Sequence, residues 1–112
     1  MPKIISPSQL SQLMGSSKQK PIVIDIRSPY EFSEFHIPGA VNIPYQSIVM
    51  YPEKFLTLNS TYFLICDSGS ESYRACMMLE PLGYRVVSVQ GGYANMRFRE
   101  KKGQECVVTP KS

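Results

Sequence analysis

The chain has 112 residues, 43% hydrophobic and 19% charged, with a formal net charge of +3. That balance belongs to a folded globular chain, long enough for one domain and too short for two, and it excludes intrinsic disorder. So weak a positive charge makes no case for nucleic-acid or membrane binding unless it is clustered, and no apolar run approaches the roughly 20 residues of a membrane-spanning helix.

The predicted elements alternate. Residues 3–5 read as a short strand, and Ser6-Pro7 opens a helix that Gly15 ends. Serine caps free amides there and proline fits the first helical position. Residues 16–20 are a polar loop. Residues 22–26, Ile-Val-Ile-Asp-Ile, form a nearly continuous β-branched run, the pattern of a parallel strand covered on both faces. Ser28-Pro29 is a second helix entry, Pro38-Gly39 a turn, and 40–43 another strand; 45–58 hold a weak helical segment. Residues 62–66 are an apolar strand ending at Cys66, a polar loop spans 67–71, and a helix is predicted over about 72–82, stopped by Pro81 and Gly83. Residues 86–89 form a further strand, and Gly91-Gly92 precedes a predicted last helix. The expected fold is α/β: a mainly parallel sheet of about five strands with helices on both faces. The expected domain is 1–100. Residues 101–112 are an expected flexible tail, beginning in the one basic run, 97–102.

Cys66, Cys76 and Cys106 are an odd number of cysteines without a C-x-x-C pair, and His36 is the one histidine. Neither a disulfide framework nor a structural zinc site is expected, and no signal peptide precedes Lys3-Ile4-Ile5, so the expected location is the cytoplasm. Cys76 falls on the apolar face of its helix and reads as a core thiol; Cys106 reads as a solvent-facing thiol of the tail. The remaining question is whether Cys66 reacts.

In an open parallel sheet the ligand site lies beyond the carboxyl ends of the strands. The junction Cys66-Asp67-Ser68-Gly69-Ser70-Glu71-Ser72 occupies that place, with small or polar residues after the cysteine and a helix directly behind them. Such a loop can turn successive N–H groups into one hollow, to which the helix N-terminus adds partial positive charge. A thiol in such a place ionises below its ordinary pKa near 8.5, and thiolate is the nucleophile. The plain alternative is a buried strand-end cysteine, since cysteine is among the most buried residue types.

Three stretches carry a resemblance to the single-domain rhodanese-like (sulfurtransferase) family. Asp25-Ile26-Arg27 through Glu31-Phe32, His36-Ile37 and Gly39-Ala40 is similar to its D-x-R-x-x-x-E-[FY]-x-x-G-H-I-x-G-A signature. Cys66 to Ser72 is similar to its active loop, C-x-x-G-x-[RST]-S. Gly83-Tyr84 through Val86 to Gly91-Gly92 looks like its ending. The resemblance implies a rhodanese fold and ping-pong sulfur transfer. Cys66 would take a sulfane sulfur from a donor as a persulfide, and a thiol or cyanide acceptor would remove it. The implied partners are a small sulfane-sulfur donor or a persulfide-carrying protein, with no nucleic acid, no membrane, no metal and no organic cofactor. It also implies a structural place for His36. Asp25, Arg27 and Glu31 read in their own right as an ion-pair group supporting the sheet edge near the loop, with direct substrate contact at the mouth of the hollow the alternative for Arg27, which follows a strand end. Arg74 is either a partner of Glu71, three residues back, or a solvated side chain.

Two departures stand out. Phe35 replaces the glycine before the histidine, and Glu71 replaces the usual arginine, serine or threonine, so that the loop holds two acids and no base. A charge about 7 Å away through a partly wet rim costs roughly 0.6–2.4 kcal/mol per unit of donor charge. Dianionic thiosulfate is therefore an expected poor donor, and a polysulfide or protein persulfide a better one. A cysteine phosphatase needs a longer loop with an arginine clamp where Ser72 stands. A non-catalytic binding or regulatory module is the alternative the acidic loop leaves open.

Overall fold

The computed structural model describes residues 1–16, 18–100 and 106–110. Five strands form one parallel sheet in the order β1-β5-β4-β2-β3, where β1 is Lys3–Ile5, β2 Ile22–Asp25, β3 Val41–Asn42, β4 Thr61–Ile65 and β5 Arg85–Val89. Residues alternate between the faces of each strand, and two apolar cores result. Ile24, Leu64 and Val86 lie in one, with Ile48 of α3 (Tyr45–Met50) and Ala75, Cys76 and Leu79 of α4 (Ser70–Leu79). Val23, Ile65 and Val89 lie in the other, with Leu10 of α1 (Pro7–Gly15) and with Ile37 and Tyr93. Both faces being covered is the physical reason for the unbroken apolar run in β2.

Helix entries follow the local chemistry. Ser6 and Ser28 each close a capping box, with Gln9 and Glu31 respectively, and proline follows each cap at the head of α1 and of α2 (Pro29–Glu34). The segment 45–58 resolves into α3 and a short 3₁₀ turn, Pro52–Lys54. The helix predicted over 72–82 is α4 from Ser70, continued by a 3₁₀ turn, Glu80–Leu82.

One expected element is corrected. Among the described residues no α-helix follows Gly91-Gly92. A four-residue 3₁₀ turn, Gly92–Asn95, leads into β6 (Met96–Glu100), which pairs antiparallel with β7 (Cys106–Pro110). Met96, Arg97, Phe98 and Arg99 alternate apolar and charged, a period of two that suits a strand better than a helix. Cys106 and four neighbours of the expected tail are thus strand residues, while 101–105, 111 and 112 lie outside the described residues.

Strand order positions the site. From β2 the chain goes to β3 on one side and later to β4 on the other, so a crevice opens beyond the carboxyl ends of β2 and β4. Asp25 pairs with Ile65 in register, and Ile26 N–H donates to the Ile65 carbonyl at 3.0 Å. Continued by one residue, that register sets Ile26 beside Cys66, and Arg27 leaves the sheet beside Asp67, 3.7 Å from its carboxylate.

Candidate active site

Cys66 is the first residue past β4 rather than the last within it. The chain then turns through Asp67, Ser68 and Gly69 into α4, so Ser70, Glu71 and Ser72 stand in the helix's first turn and Arg74 in its second. Unlike α1 and α2, this helix has no side-chain cap from its N-cap residue, Gly69. The sulfur of Cys66 takes that place. It accepts from Gly69 N–H at 3.1 Å and from Ser72 N–H at 3.3 Å. Two free helix-terminal donors thus converge on one sulfur, where the helix dipole favours negative charge. Gly69 reaches this geometry at φ +93, and a Cβ there would lie 2.8 Å from Gly91 N and 3.2 Å from its Cα. Cys66 is 2% exposed, so the sulfur forms the floor of the loop.

The loop is held from below and behind. Ser72 is fully buried; its hydroxyl donates to the Gly69 carbonyl at 3.1 Å and pairs with the Ser88 hydroxyl of β5 at 2.7 Å. Behind it, the 3₁₀ turn grips the loop's carbonyls: Tyr93 N–H donates to Cys66 O at 2.9 Å and Ala94 N–H to Asp67 O at 2.7 Å. With those carbonyls drawn outward, the N–H groups of Gly69 and Ser72 are left facing the sulfur. Gly92 permits the approach, because a Cβ on it would overlap the Cys66 carbonyl.

A buried ionic network flanks the crevice. Arg27 donates through Nε and Nη2 to Asp25 at 2.8–3.2 Å and through Nη2 to the Phe35 carbonyl at 2.7 Å. Its guanidinium lies 4.0 Å from the Tyr93 ring centre and 4.7 Å from that of Phe35, which meets Tyr93 edge to face. Tyr93 donates its hydroxyl to Asp25 at 2.9 Å and accepts from Ile37 N–H at 3.0 Å. Burial alone would lower the Arg27 pKa, but the hydrogen bond and charge of Asp25 outweigh it and raise it. Burial, then the Asp25 charge, pushes the Tyr93 hydroxyl up as well. Arg27 Nη1 also lies 3.7 Å from Asp67, which is mostly exposed. Phe35, in the position where glycine was expected, has an extended backbone and covers the guanidinium.

The expected site residues thus fall into three groups. Cys66, Gly69 and Ser72 form the sulfur cradle. Asp25 and Arg27 support it from beside, and Asp67 reaches Arg27. Ser68, Ser70, Glu71 and Arg74 are exposed, Ser68 and Ser70 sharing a hydroxyl contact at 3.2 Å. Glu71 and Arg74 form no ion pair with each other; Arg27 is the cation beside Asp67. His36 stacks on Phe32 with ring centres 3.7 Å apart and donates from Nδ1 to the Phe32 carbonyl at 2.7 Å. Cys76 is fully buried, and burial with the nearby Glu80 charge pushes its thiol up to about 12. Ser88 and Tyr93 were not anticipated. The buried polar position in Val-Val-Ser-Val and the aromatic directly after Gly91-Gly92 are the only sequence signals of them. Among the described residues, no group of three His, Cys, Asp or Glu side chains is placed to hold a metal ion, and no helix is long and apolar enough to cross a membrane.

Comparison with known proteins points one way. The family model of the rhodanese-like domain matches residues 6–97. YtwF of Bacillus subtilis is 36% identical over 92 residues, spanning 80% of this chain and 85% of its own. The thiosulfate sulfurtransferase PspE of Escherichia coli is 31% identical over 85 residues, spanning 71% and 78%. A crystal structure of a rhodanese-like domain protein from Staphylococcus aureus superposes with a TM-score of 0.75 at 28% identity, covering 92% of this chain and 96% of that one.

Proposed function

The chain belongs to the rhodanese-like domain family, and from that premise we propose that it is a sulfurtransferase working through a persulfide on Cys66. The observation that carries this reading is the pair of amides, Gly69 and Ser72, that cap α4 onto the Cys66 sulfur instead of onto an oxygen side chain. Donors fixed in this way stabilise negative charge on sulfur without reorganisation during the reaction.

The transfer balances in two displacements. The Cys66 thiolate attacks the sulfane sulfur of a donor. A Cys66 S–S bond forms, the donor's bond to that sulfur breaks, and the electron pair departs with the remainder of the donor as sulfite, sulfinate or thiolate. A thiol, as its thiolate, or cyanide then attacks the outer sulfur, and the S–S bond electrons return to Cys66. No metal or organic cofactor is called on by either step. Glu71 lies exposed and without an ionic partner in the first turn of α4, and Asp67 stands at the loop's rim. These charges favour donors less anionic than thiosulfate, whether a polysulfide or a persulfide carried on a protein, and a thiol acceptor.

The test is intact-mass and peptide mass spectrometry after incubation with polysulfide. A one-sulfur increment on Cys66, absent from Cys66→Ser together with turnover, is expected. An unmodified Cys66 in the folded protein would refute the reading and leave a binding module.

A further inference from the structure

The two faces of the sheet are not covered alike. On one face α3 and α4 both supply core residues; on the other, α1 is the one α-helix among the described residues that does. After Gly92 the chain forms a hairpin rather than a second helix for that face. Leu10 covers Ile65 and Val89 toward the carboxyl ends of β4 and β5. The amino halves stay open. Register sets Lys3 and Phe63 beside Val87, and Arg85 beside Thr61, all on the α1 face. Phe63 and Val87 are half-buried, Arg85 and Thr61 exposed, although β4 and β5 are inner strands. Inner strands of a parallel sheet ordinarily have both faces covered.

Two hollows, of about 520 and 720 Å³, meet on this strip and share Leu13 and Phe63. One follows the flank of α1 from Gln9 to Ser16, about 10 Å of helix. The other passes the amino ends of β5, β4 and β2. Charge along this trough has one sign. Lys3 of β1, Arg85 of β5 and Lys20 before β2 stand along it, all exposed. Lys20 donates one hydrogen bond to the Met14 carbonyl at 2.7 Å. Among the described residues none of the three cations forms an ion pair, and no Asp or Glu lines either hollow.

An apolar floor edged by cations complements an acidic amphipathic occupant. The floor is a sheet face, whose N–H and C=O groups are already paired within the ladder. An occupant must therefore satisfy its own backbone, which a helix does and an extended segment does not. We propose that this trough docks an acidic amphipathic helix of a partner protein, its apolar stripe on Leu13, Phe63 and Val87 and its carboxylates toward Lys3, Arg85 and Lys20. The trough lies at the amino end of β4 and Cys66 beyond the carboxyl end, roughly 16 Å of strand away. A partner held there leaves the Cys66 loop open, and docking does not depend on sulfur transfer.

The probe is a synthetic peptide with a leucine stripe and glutamate flanks, stapled because so short a helix is marginal alone. Its counterpart carries lysine for glutamate. Each is titrated into the isotope-labelled full chain at low salt. The glutamate peptide should shift the Leu13, Phe63 and Val87 signals, and Lys3→Glu combined with Arg85→Glu should weaken it about tenfold. High salt should weaken it about threefold, and Leu13→Gln, at a residue 41% exposed, should weaken it as well. The lysine peptide should bind about tenfold more weakly than the glutamate peptide. The charge-reversed residues are exposed and remote from Cys66, so that variant should keep the native spectrum elsewhere and the native rate of persulfide formation from polysulfide. No shift of these signals by about 1 mM peptide, equal binding of the lysine peptide, or undiminished binding to the charge-reversed variant would overturn the docking site. A dimer of the native chain that Leu13→Gln dissolves would give the trough to a second copy, and decanoate moving the same signals more tightly than the peptide would give it to a small amphiphile. Either would overturn the partner helix.

Discussion

Gly92→Ala tests whether the 3₁₀ turn behind the loop holds the sulfur cradle. Gly92 sits at φ +54, and an added Cβ would overlap the Cys66 carbonyl oxygen and lie 2.9 Å from its carbon and 3.0 Å from the Asp67 carbonyl carbon. These are backbone atoms with no rotamer in which to retreat. The left-handed conformation costs alanine roughly 1–2 kcal/mol. Relief of the overlap must stretch the Tyr93 and Ala94 hydrogen bonds to the loop, now 2.9 and 2.7 Å, each worth about 0.5–1.5 kcal/mol. The expected loss is about 2–5 kcal/mol, read as a lower urea midpoint at unchanged m-value. Because the same shift carries the Gly69 and Ser72 amides off the sulfur, transfer should fall on the order of a hundredfold, as misplacement by about 1 Å does. Gly39→Ala is the control: φ is +88 with nothing within 4 Å of the added carbon, so it carries backbone strain without contact. It should lose roughly 1–2 kcal/mol and keep its transfer rate. If Gly92→Ala unfolds no more readily than Gly39→Ala and transfers sulfur at the native rate, the turn does not position the loop.

Tyr93→Phe strips the buried Ile37 N–H of its acceptor and Asp25 of a donor, and should destabilise by about 2–4 kcal/mol in urea; a loss under about 0.5 kcal/mol would show that water or repacking satisfies both groups. At pH 8 iodoacetamide should leave Cys76 unlabelled in the folded protein, because its thiol is buried and pushed up to about 12, and should label it only in denaturant; rapid native labelling would contradict the core position. Glu71→Arg exchanges an exposed, unpaired carboxylate in the first turn of α4 for a cation, and should raise kcat/KM for thiosulfate roughly three- to tenfold at low salt, less in high salt. An unchanged value would mean that this position does not reach the donor.

Local chemistry made much of the fold legible from the amino-acid order. The β-branched run at 22–26 has the composition of a strand covered on both faces, and β2 is one. Ser6-Pro7 and Ser28-Pro29 carry capping geometry within four residues, and both helices begin there. Cys66, a small polar loop and a helix in immediate succession marked the place where amides meet sulfur. Alternation at 96–99 was equally local, yet the glycine pair before it drew the reading toward a helix.

What the sequence could not hold was every relation between distant segments. Arg27 rather than Arg74 is the cation beside the loop, because the β2–β4 register brings residues 27 and 67 together, whereas spacing along one helix offered only Glu71 and Arg74 to each other. Ser88 meets Ser72 across 16 positions and Tyr93 meets Asp25 across 68, contacts with no periodicity to announce them. Propensity and capping act over a few residues and are written in order. The aim of two amides at one sulfur, and the charge at its entrance, depend on strands and turns brought together by burial, and only the folded chain decides them.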